Sequence, residues 1–215
     1  MSTSIKICGL KDANAVQATI AAGADYAGFV YFPASPRHVE LSYARELKSL
    51  LPDSIKSVSV LVDPDDALLE QVQSVLQPDY VQLHGKETPL RVAAIKQVFP
   101  KLKIIKAISL RSSDDVAGAM AFLPYTEMLM FDAKPPELAG MLPGGNGLSF
   151  DWALLRNREF PLPWFLSGGL NAENAAEAIR LTGAKMVDVS SGVESAPGVK
   201  DPALIEAFAK AARSV

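Results

Sequence analysis

Cysteine is almost missing from this chain: there is one, Cys8, in 215 residues. A single thiol can neither close an intramolecular disulfide nor furnish a cysteine-based metal cluster, so a reducing compartment and a cytoplasmic location are expected. Histidine is nearly as scarce. His38 and His84 are the only two, and neither stands in an HExxH or other ligand-spaced pattern, so no metal is expected. Nowhere does an apolar run approach the ~20 residues of a membrane span. The first residues, Met1 to Gly9, lack a basic stretch followed by an apolar one, so neither export nor a membrane partner is expected. Excess positive charge is absent too: 21 basic residues face 24 acidic ones for a net charge of -3. That balance lacks the basic footprint that nucleic acid selects, and no nucleic-acid partner is expected.

What the chain does have is apolar material, 49% of its residues against 21% charged, enough for a large core and no case for disorder. Short β-branched or apolar runs alternate with amphipathic, Ala-rich stretches, which is the pattern of a parallel sheet with crossover helices. Strands are predicted at Ser4 to Cys8, Tyr26 to Val30, Ile55 to Val62, Tyr80 to Leu83, Ile104 to Ser109, Met128 to Asp132, Trp164 to Ser167 and Met186 to Val189. Helices are predicted at about Asp12 to Ala22, Ser42 to Leu51, Asp65 to Leu76, Thr88 to Val98, Ser113 to Phe122, Asp151 to Leu155, Ala172 to Leu181 and Pro202 to Ala212. Several begin at Asp, Ser or Thr, whose side-chain oxygens can satisfy the free N–H groups of a helix start.

Periodicity alone does not separate a closed barrel from an open doubly wound sheet. Eight complete units with no remainder favour closure, so the expected fold is α/β, a (β/α)8 TIM barrel forming one catalytic domain over residues 1–215. Two loops, Tyr31 to Leu41 and Ala133 to Ser149, are long and rich in Pro and Gly but too short to separate domains. Both follow strand ends, which in a barrel is the face that carries substrate pockets.

Polar groups at those strand ends are therefore the informative ones. Cys8 ends the first strand; alone it reads as a small buried hydrophobe as readily as a reactive thiol. Asp132 ends the sixth after Met128-Leu129-Met130-Phe131, as a titrating group, a cap or a partner for Lys134. Arg37, in Ser35-Pro36-Arg37, could fork onto a carboxylate. His84 closes the fourth strand. Glycine turns follow the last two strands, at Ser167-Gly168-Gly169 and at Ser190-Ser191-Gly192 after Asp188-Val189. In barrels of this class the loops after strands seven and eight frequently bind phosphate through bare N–H groups, so the pair carries more than either turn alone. The run Gly144-Gly145-Asn146-Gly147 is a lid or a connector and matches no nucleotide-binding motif.

With these positions in place, the chain resembles the phosphoribosylanthranilate isomerases along its whole length. The resemblance rests on Lys6-Ile7-Cys8-Gly9, Gly28-Phe29, Ser35-Pro36-Arg37-His38-Val39, Val81-Gln82-Leu83-His84-Gly85, Phe131-Asp132, Phe150-Asp151-Trp152, Ser167-Gly168-Gly169-Leu170 and Asp188-Val189-Ser190-Ser191-Gly192-Val193-Glu194. Asn146 departs from it, standing where that family more commonly has a hydroxyl residue.

The resemblance implies an Amadori rearrangement in tryptophan biosynthesis, with Asp132 as general acid, Cys8 as general base and no cofactor. Arg37 would hold the anthranilate carboxylate. Gly168, Gly169, Asp188, Ser190, Ser191 and Gly192 would line the phosphate and sugar end, with His84 in the pocket. The acid must keep a proton although free aspartate titrates near ~3.9, and the base must lose one although free cysteine titrates near ~8.5. Apolar burial is expected to favour the protonated acid, and positive surroundings to assist the thiol. The expected partner is a small phosphorylated molecule, with the chain a monomer or weak homodimer. Two other readings compete. The related sugar-phosphate isomerase of histidine biosynthesis carries Asp in place of Cys8 and needs a second phosphate site, where this chain has the acidic Asp63-Pro64-Asp65-Asp66. A non-catalytic barrel that only binds a phosphorylated ligand would not need both an acid and a base.

Overall fold

The computed structural model describes residues 2–133 and 151–215. Each expected strand forms: β1 (Ser4–Cys8), β2 (Tyr26–Val30), β3 (Lys56–Leu61), β4 (Tyr80–Leu83), β5 (Ile104–Leu110), β6 (Met128–Ala133), β7 (Trp164–Leu166) and β8 (Met186–Val189). They pair in parallel in chain order, and β1 also pairs with β8, so the sheet is a closed barrel. Closure leaves no edge strand with unpaired backbone groups.

Strand side chains alternate between two cores. Inside the barrel lie Cys8, Val30, Val58, Val60, Ile105, Ala107, Met130 and Phe165. Facing out, Ile5, Ile7, Phe29, Leu83, Leu129 and Val187 pack under the helices. At the N-terminal end of the barrel, Tyr26 meets the edges of Tyr80 and Phe165 at centroid distances of 6.0 and 5.2 Å. That aromatic floor leaves the strand C-termini as the polar end.

The helices are α1 (Ala13–Ala21), α2 (Leu41–Lys48), α3 (Asp66–Gln71), α4 (Pro89–Val98), α5 (Ser113–Ala119), α6 (Ala175–Thr182) and α7 (Pro202–Ala212). Asp12, Asp65, Thr88 and Asp201 cap α1, α3, α4 and α7 through bonds to backbone N–H groups, as their position at the helix starts predicts.

Four stretches depart from the sequence reading. The helix expected to run to Leu76 turns into a π-helical segment, Val72–Leu76, that ends on left-handed Gln77 with a bond from Gln77 N–H to the Val72 carbonyl. The fifth helix becomes 3-10 from Met120 to Tyr125, where Pro124 sits inside the turn and has no N–H to continue an α-helix. Among the described residues the sixth unit contributes a 3-10 turn, Trp152–Leu155, in place of the expected helix from Asp151 to Leu155. A short antiparallel pair, β9 (Glu194–Ala196) and β10 (Val199–Lys200), was not expected at all. Most of the loop expected between Ala133 and Ser149, including Lys134 and Gly144 to Gly147, lies outside the described residues, as does Phe150.

Candidate active site

Cys8 sits at the C-terminal end of β1 and is 7% exposed. Gly28 lies across from it on β2; a Cβ there would come within 3.0 Å of Sγ, so glycine makes the room that the sulfur occupies. Two residues earlier on β1, and therefore on the same inner face, Lys6 is fully buried. Its ammonium donates to Asp188 Oδ1 at 2.7 Å, and Ser167 donates to the other carboxylate oxygen at 3.0 Å. Lys6 and Asp188 are register partners on β1 and β8, so this ion pair crosses the seam that closes the barrel. Burial opposes the Lys6 ammonium, but Asp188 and Cys8 outweigh it and its pKa stands above the usual lysine value.

The sequence led us to expect that positive surroundings would assist the Cys8 thiol. The cations exist, Lys6 and Lys200, and both pull the thiol down. They do not win: burial is the largest influence, the Asp188 carboxylate adds to it, and the thiol stands above its ordinary pKa.

Asp132 ends the inner face of β6 and is 5% exposed. Its Oδ1 accepts from the Ala133 N–H at 2.8 Å and its Oδ2 faces His84 Nε2 at 3.1 Å. Behind His84, Gln82 Nε2 lies 2.7 Å from Nδ1. An amide nitrogen only donates, so Nδ1 accepts and the ring proton sits on Nε2, directed at Asp132. Gln82 is fully buried and its Oε1 has no hydrogen-bond partner among the described residues. His84, which sequence reading left in the pocket without a role, thus lies in a chain from Gln82 to Asp132. Gly168 packs beside this carboxylate with φ +86°, and a Cβ there would meet the Ala133 nitrogen at 2.6 Å and Asp132 Oδ1 at 3.0 Å.

Arg37 is 5% exposed and does fork onto a carboxylate, that of Glu194. Its Nε and Nη2 donate to Glu194 Oε1 and Oε2, each at 2.8 Å. Lys200 adds a donor to Oε1 at 2.7 Å, and the Gly198 N–H reaches Oε2 at 3.2 Å. Burial works against the Glu194 charge, but Arg37 and Lys200 overcome it and hold the carboxyl below its usual range. The Lys200 ammonium is itself pushed below the ordinary lysine value, chiefly by burial. In the sequence Glu194 stands only as the end of the Asp188-to-Glu194 motif, and Lys200, just before Asp201-Pro202, carries no local signal of a role. The unexpected β9–β10 pair is what brings Glu194 and Lys200 under Arg37.

The glycine turns after β7 and β8 lie together. Gly168 and Gly169 are both left-handed, with φ +86° and +68°. A Cβ on Gly192 would collide with the Leu170 carbonyl, so the two turns touch where only glycine fits. Asn171 and Asn174 hold the chain out of helix here: Asn171 Oδ1 accepts from the N–H groups of Glu173 and Asn174, and Asn174 Nδ2 donates to the Gly169 carbonyl at 2.9 Å. Helix α6 starts at Ala175 instead of the expected Ala172 for that reason. After β8, Ser190 Oγ donates to the Cys8 carbonyl at 3.1 Å and Lys200 donates to the Ser190 carbonyl at 2.9 Å. Ser191–Val193 forms a 3-10 turn that begins at the strand end. Asp188, expected to line the substrate, has both oxygens engaged by Lys6 and Ser167.

In the acidic loop after β3, Asp63 Oδ1 accepts from the Lys86 N–H at 2.7 Å and Asp65 caps α3. The carboxylates are thereby tied into backbone turns. Among the described residues, no group of three or more His, Cys, Asp and Glu is placed to hold a metal ion, and no helix is long and apolar enough to cross a membrane.

Comparison with known proteins gives a consistent result. The family model for N-(5'-phosphoribosyl)anthranilate isomerase matches residues 5–211. The protein of that name from Parvibaculum lavamentivorans is 50% identical over 214 residues, covering 99% of each chain. The one from Paracoccus denitrificans is 50% identical over 208 residues, covering 97% of this chain and 96% of the relative. Among solved structures, phosphoribosyl anthranilate isomerase from Thermotoga maritima superposes with a TM-score of 0.86 at 33% identity, covering 99% of this chain and 100% of that one. A further structure of such an isomerase, in complex with reduced 1-(o-carboxyphenylamino)-1-deoxyribulose 5-phosphate, superposes with a TM-score of 0.83 at 31% identity. This chain belongs to the N-(5'-phosphoribosyl)anthranilate isomerase family.

Proposed function

We propose that this chain, as one catalytic domain over residues 1–215, converts N-(5-phosphoribosyl)anthranilate to 1-(2-carboxyphenylamino)-1-deoxyribulose 5-phosphate in tryptophan biosynthesis, with Asp132 as acid and Cys8 as base. The observation that carries the assignment of roles is the presence of both groups, buried and inward-facing, at the mouth of one closed barrel, on β1 and β6 with β7 and β8 between them. A binding protein has no use for that pair. Asp132 gives its proton to the furanose ring oxygen, the bond from that oxygen to C1′ breaks to leave a hydroxyl, and the anthranilate nitrogen lone pair forms the N=C1′ double bond of an iminium. The Cys8 thiolate then takes the C2′ proton. The C2′–H electron pair forms the C1′–C2′ double bond while the iminium pair returns to nitrogen, and the resulting enolamine tautomerises to the ketone.

His84 Nε2, 3.1 Å from Asp132 Oδ2, holds that carboxyl group in place at the mouth. The left-handed Gly168–Gly169 turn and the Ser190–Gly192 turn are suited to the phosphate, as bare N–H groups at the ends of β7 and β8 are in barrels generally. Arg37 is suited to the anthranilate carboxylate, with its guanidinium plane already set by Glu194. The reaction moves protons only, so no cofactor enters it. We place the enzyme in the reducing cytoplasm, which keeps its one thiol available. It acts as a monomer or weak homodimer; the Thermotoga maritima isomerase is described both as a dimer and as monomers generated from it.

Freshly generated N-(5-phosphoribosyl)anthranilate is fluorescent through its aminobenzoate ring, and its disappearance tests the reading directly. Wild type should consume it. Cys8→Ala and Asp132→Asn should each lose about 10²–10⁴-fold in kcat, the usual contribution of a positioned acid or base. Substrate binding without turnover by wild type overturns the activity, and a Cys8→Ala variant as fast as wild type overturns the assignment of the base.

A further inference from the structure

Lys6 has no part in the chemistry assigned above, yet it is a fully buried cation in the middle of the barrel. Burying an ammonium costs several kcal/mol even after relaxation, and an equally large apolar side chain would fill the space without that cost. Its one carboxylate partner, Asp188, is shared with Ser167. On β1, Lys6 and Cys8 occupy successive inner-face positions, so the ammonium lies directly beneath the thiol. The groups facing the pair can be named strand by strand. On β2, Tyr26 is the register partner of Lys6 and Gly28 that of Cys8. Tyr26 is pushed up to about 12, chiefly by burial, and stays neutral. On β8, Asp188 is the register partner of Lys6, and on β10 Lys200 approaches from above through Ser190. Arg37 is committed to Glu194.

From this arrangement we propose that Lys6 is the positioning residue that makes Cys8 usable as a base: its ammonium, divided between the Asp188 carboxylate and the sulfur, is the counter-charge of the thiolate. The proposal rests on the reading of Cys8 as the base. Burial and Asp188 push the thiol toward its protonated form, while Lys6 and then Lys200 oppose them. A balance with a cation and an anion side by side is sensitive to either partner. Loss of Lys6 leaves the sulfur beside an uncompensated carboxylate; loss of the Asp188 charge leaves it beside an undivided ammonium. The two changes must therefore move the thiol in opposite directions. A lysine that merely filled and stapled the barrel would predict no such opposition.

Cys8 is the sole cysteine, so the ultraviolet absorbance of the thiolate, corrected with Cys8→Ser, reports one group in the ligand-free protein. The midpoint of that titration should rise by at least about one pH unit in Lys6→Met and fall in Asp188→Asn, a tenfold change in the thiolate-to-thiol ratio at fixed pH. The thiol-dependent limb of the kcat/KM profile should follow. Lys6→Met strands Asp188 and could unfold the barrel, so the double variant Lys6→Met/Asp188→Asn removes both charges together. Its midpoint should lie above that of Asp188→Asn alone. Equal midpoints in those two variants, or shifts of the same sign in the two single variants, overturn the proposal. Turnover by wild type is a separate measurement: normal turnover with unmoved midpoints removes Lys6 from the mechanism and leaves the activity standing.

Discussion

Arg37 and Glu194 exchange two parallel charge-assisted bonds in a setting nearly closed to water. A lysine at position 37 keeps the charge but has neither the planar fork nor the reach to both oxygens. Arg37→Lys should raise KM by roughly 10- to 100-fold, about one charged hydrogen bond in free energy, with a smaller effect on kcat; steady-state kinetics decides. Glu194→Gln leaves Arg37 and Lys200 facing a neutral amide and should destabilise the fold by about 3–5 kcal/mol at neutral pH. The pH dependence has a definite sign. The Glu194 carboxyl stands below its usual range in the folded chain, so its contribution is fully present above the unfolded value and is lost as pH falls through the folded one. Urea unfolding of wild type and Glu194→Gln should therefore converge below about pH 4, and a gap unchanged by acid contradicts the assignment of Glu194 as the charged hub.

His84 is tested at the same scale. His84→Phe keeps the ring's bulk but removes the Nε2–H that faces Asp132. kcat should fall by about 10- to 100-fold with KM little changed. A kcat equal to that of wild type would reduce His84 to packing.

Elements place these residues where the local sequence does not advertise it. The β9–β10 pair is only five residues long in all, yet it carries the carboxylate that orients Arg37 and the lysine that holds the Ser190 turn. Its corner, Gly198, is left-handed with φ +79° and lies against the Pro36 carbonyl, whose other neighbour is the Lys11 ammonium. Gly198→Ala should therefore press the turn onto the Arg37 loop, costing about 1–3 kcal/mol of stability and raising KM more than it lowers kcat. The Asn171–Asn174 turn is a second such element. Asn174→Ala removes the amide that grips the Gly169 carbonyl, and tighter inhibition of wild type than of the variant by inorganic phosphate is the expected outcome. Equal inhibition would show that this amide does not organise the anion site.

At the scale of the whole molecule, the barrel is held by two cores separated by the sheet. Phe208 of α7 is fully buried among the outer set, and α7 packs on α1, bridging the first and last units of the chain. Phe208→Ala should cost about 3–5 kcal/mol, which for a chain of this size corresponds to a fall in Tm of roughly 6–20 °C. Calorimetry would show it.

The strand pattern was legible because it depends on neighbours in sequence: alternating or continuous apolar runs, capped helix starts and Gly-rich turns after strands all reflect local stereochemistry. Cys8, Asp132, His84 and the paired glycine turns were visible for a related reason, since each stands at a strand end, and Arg37 because its loop follows one; a barrel gathers strand ends. The sequence by itself also determined that eight strand-and-helix units would alternate. Only the tertiary structure decided how the charges divide. Lys6 meets Asp188 across 182 residues and Arg37 meets Glu194 across 157, pairings created by closure of β1 on β8 and by a hairpin too short to leave a periodic signal. The protonation of Cys8 belongs to the same category. Whether a thiol is helped by lysines or held back by burial depends on distances and excluded water, and those exist only once the barrel has closed.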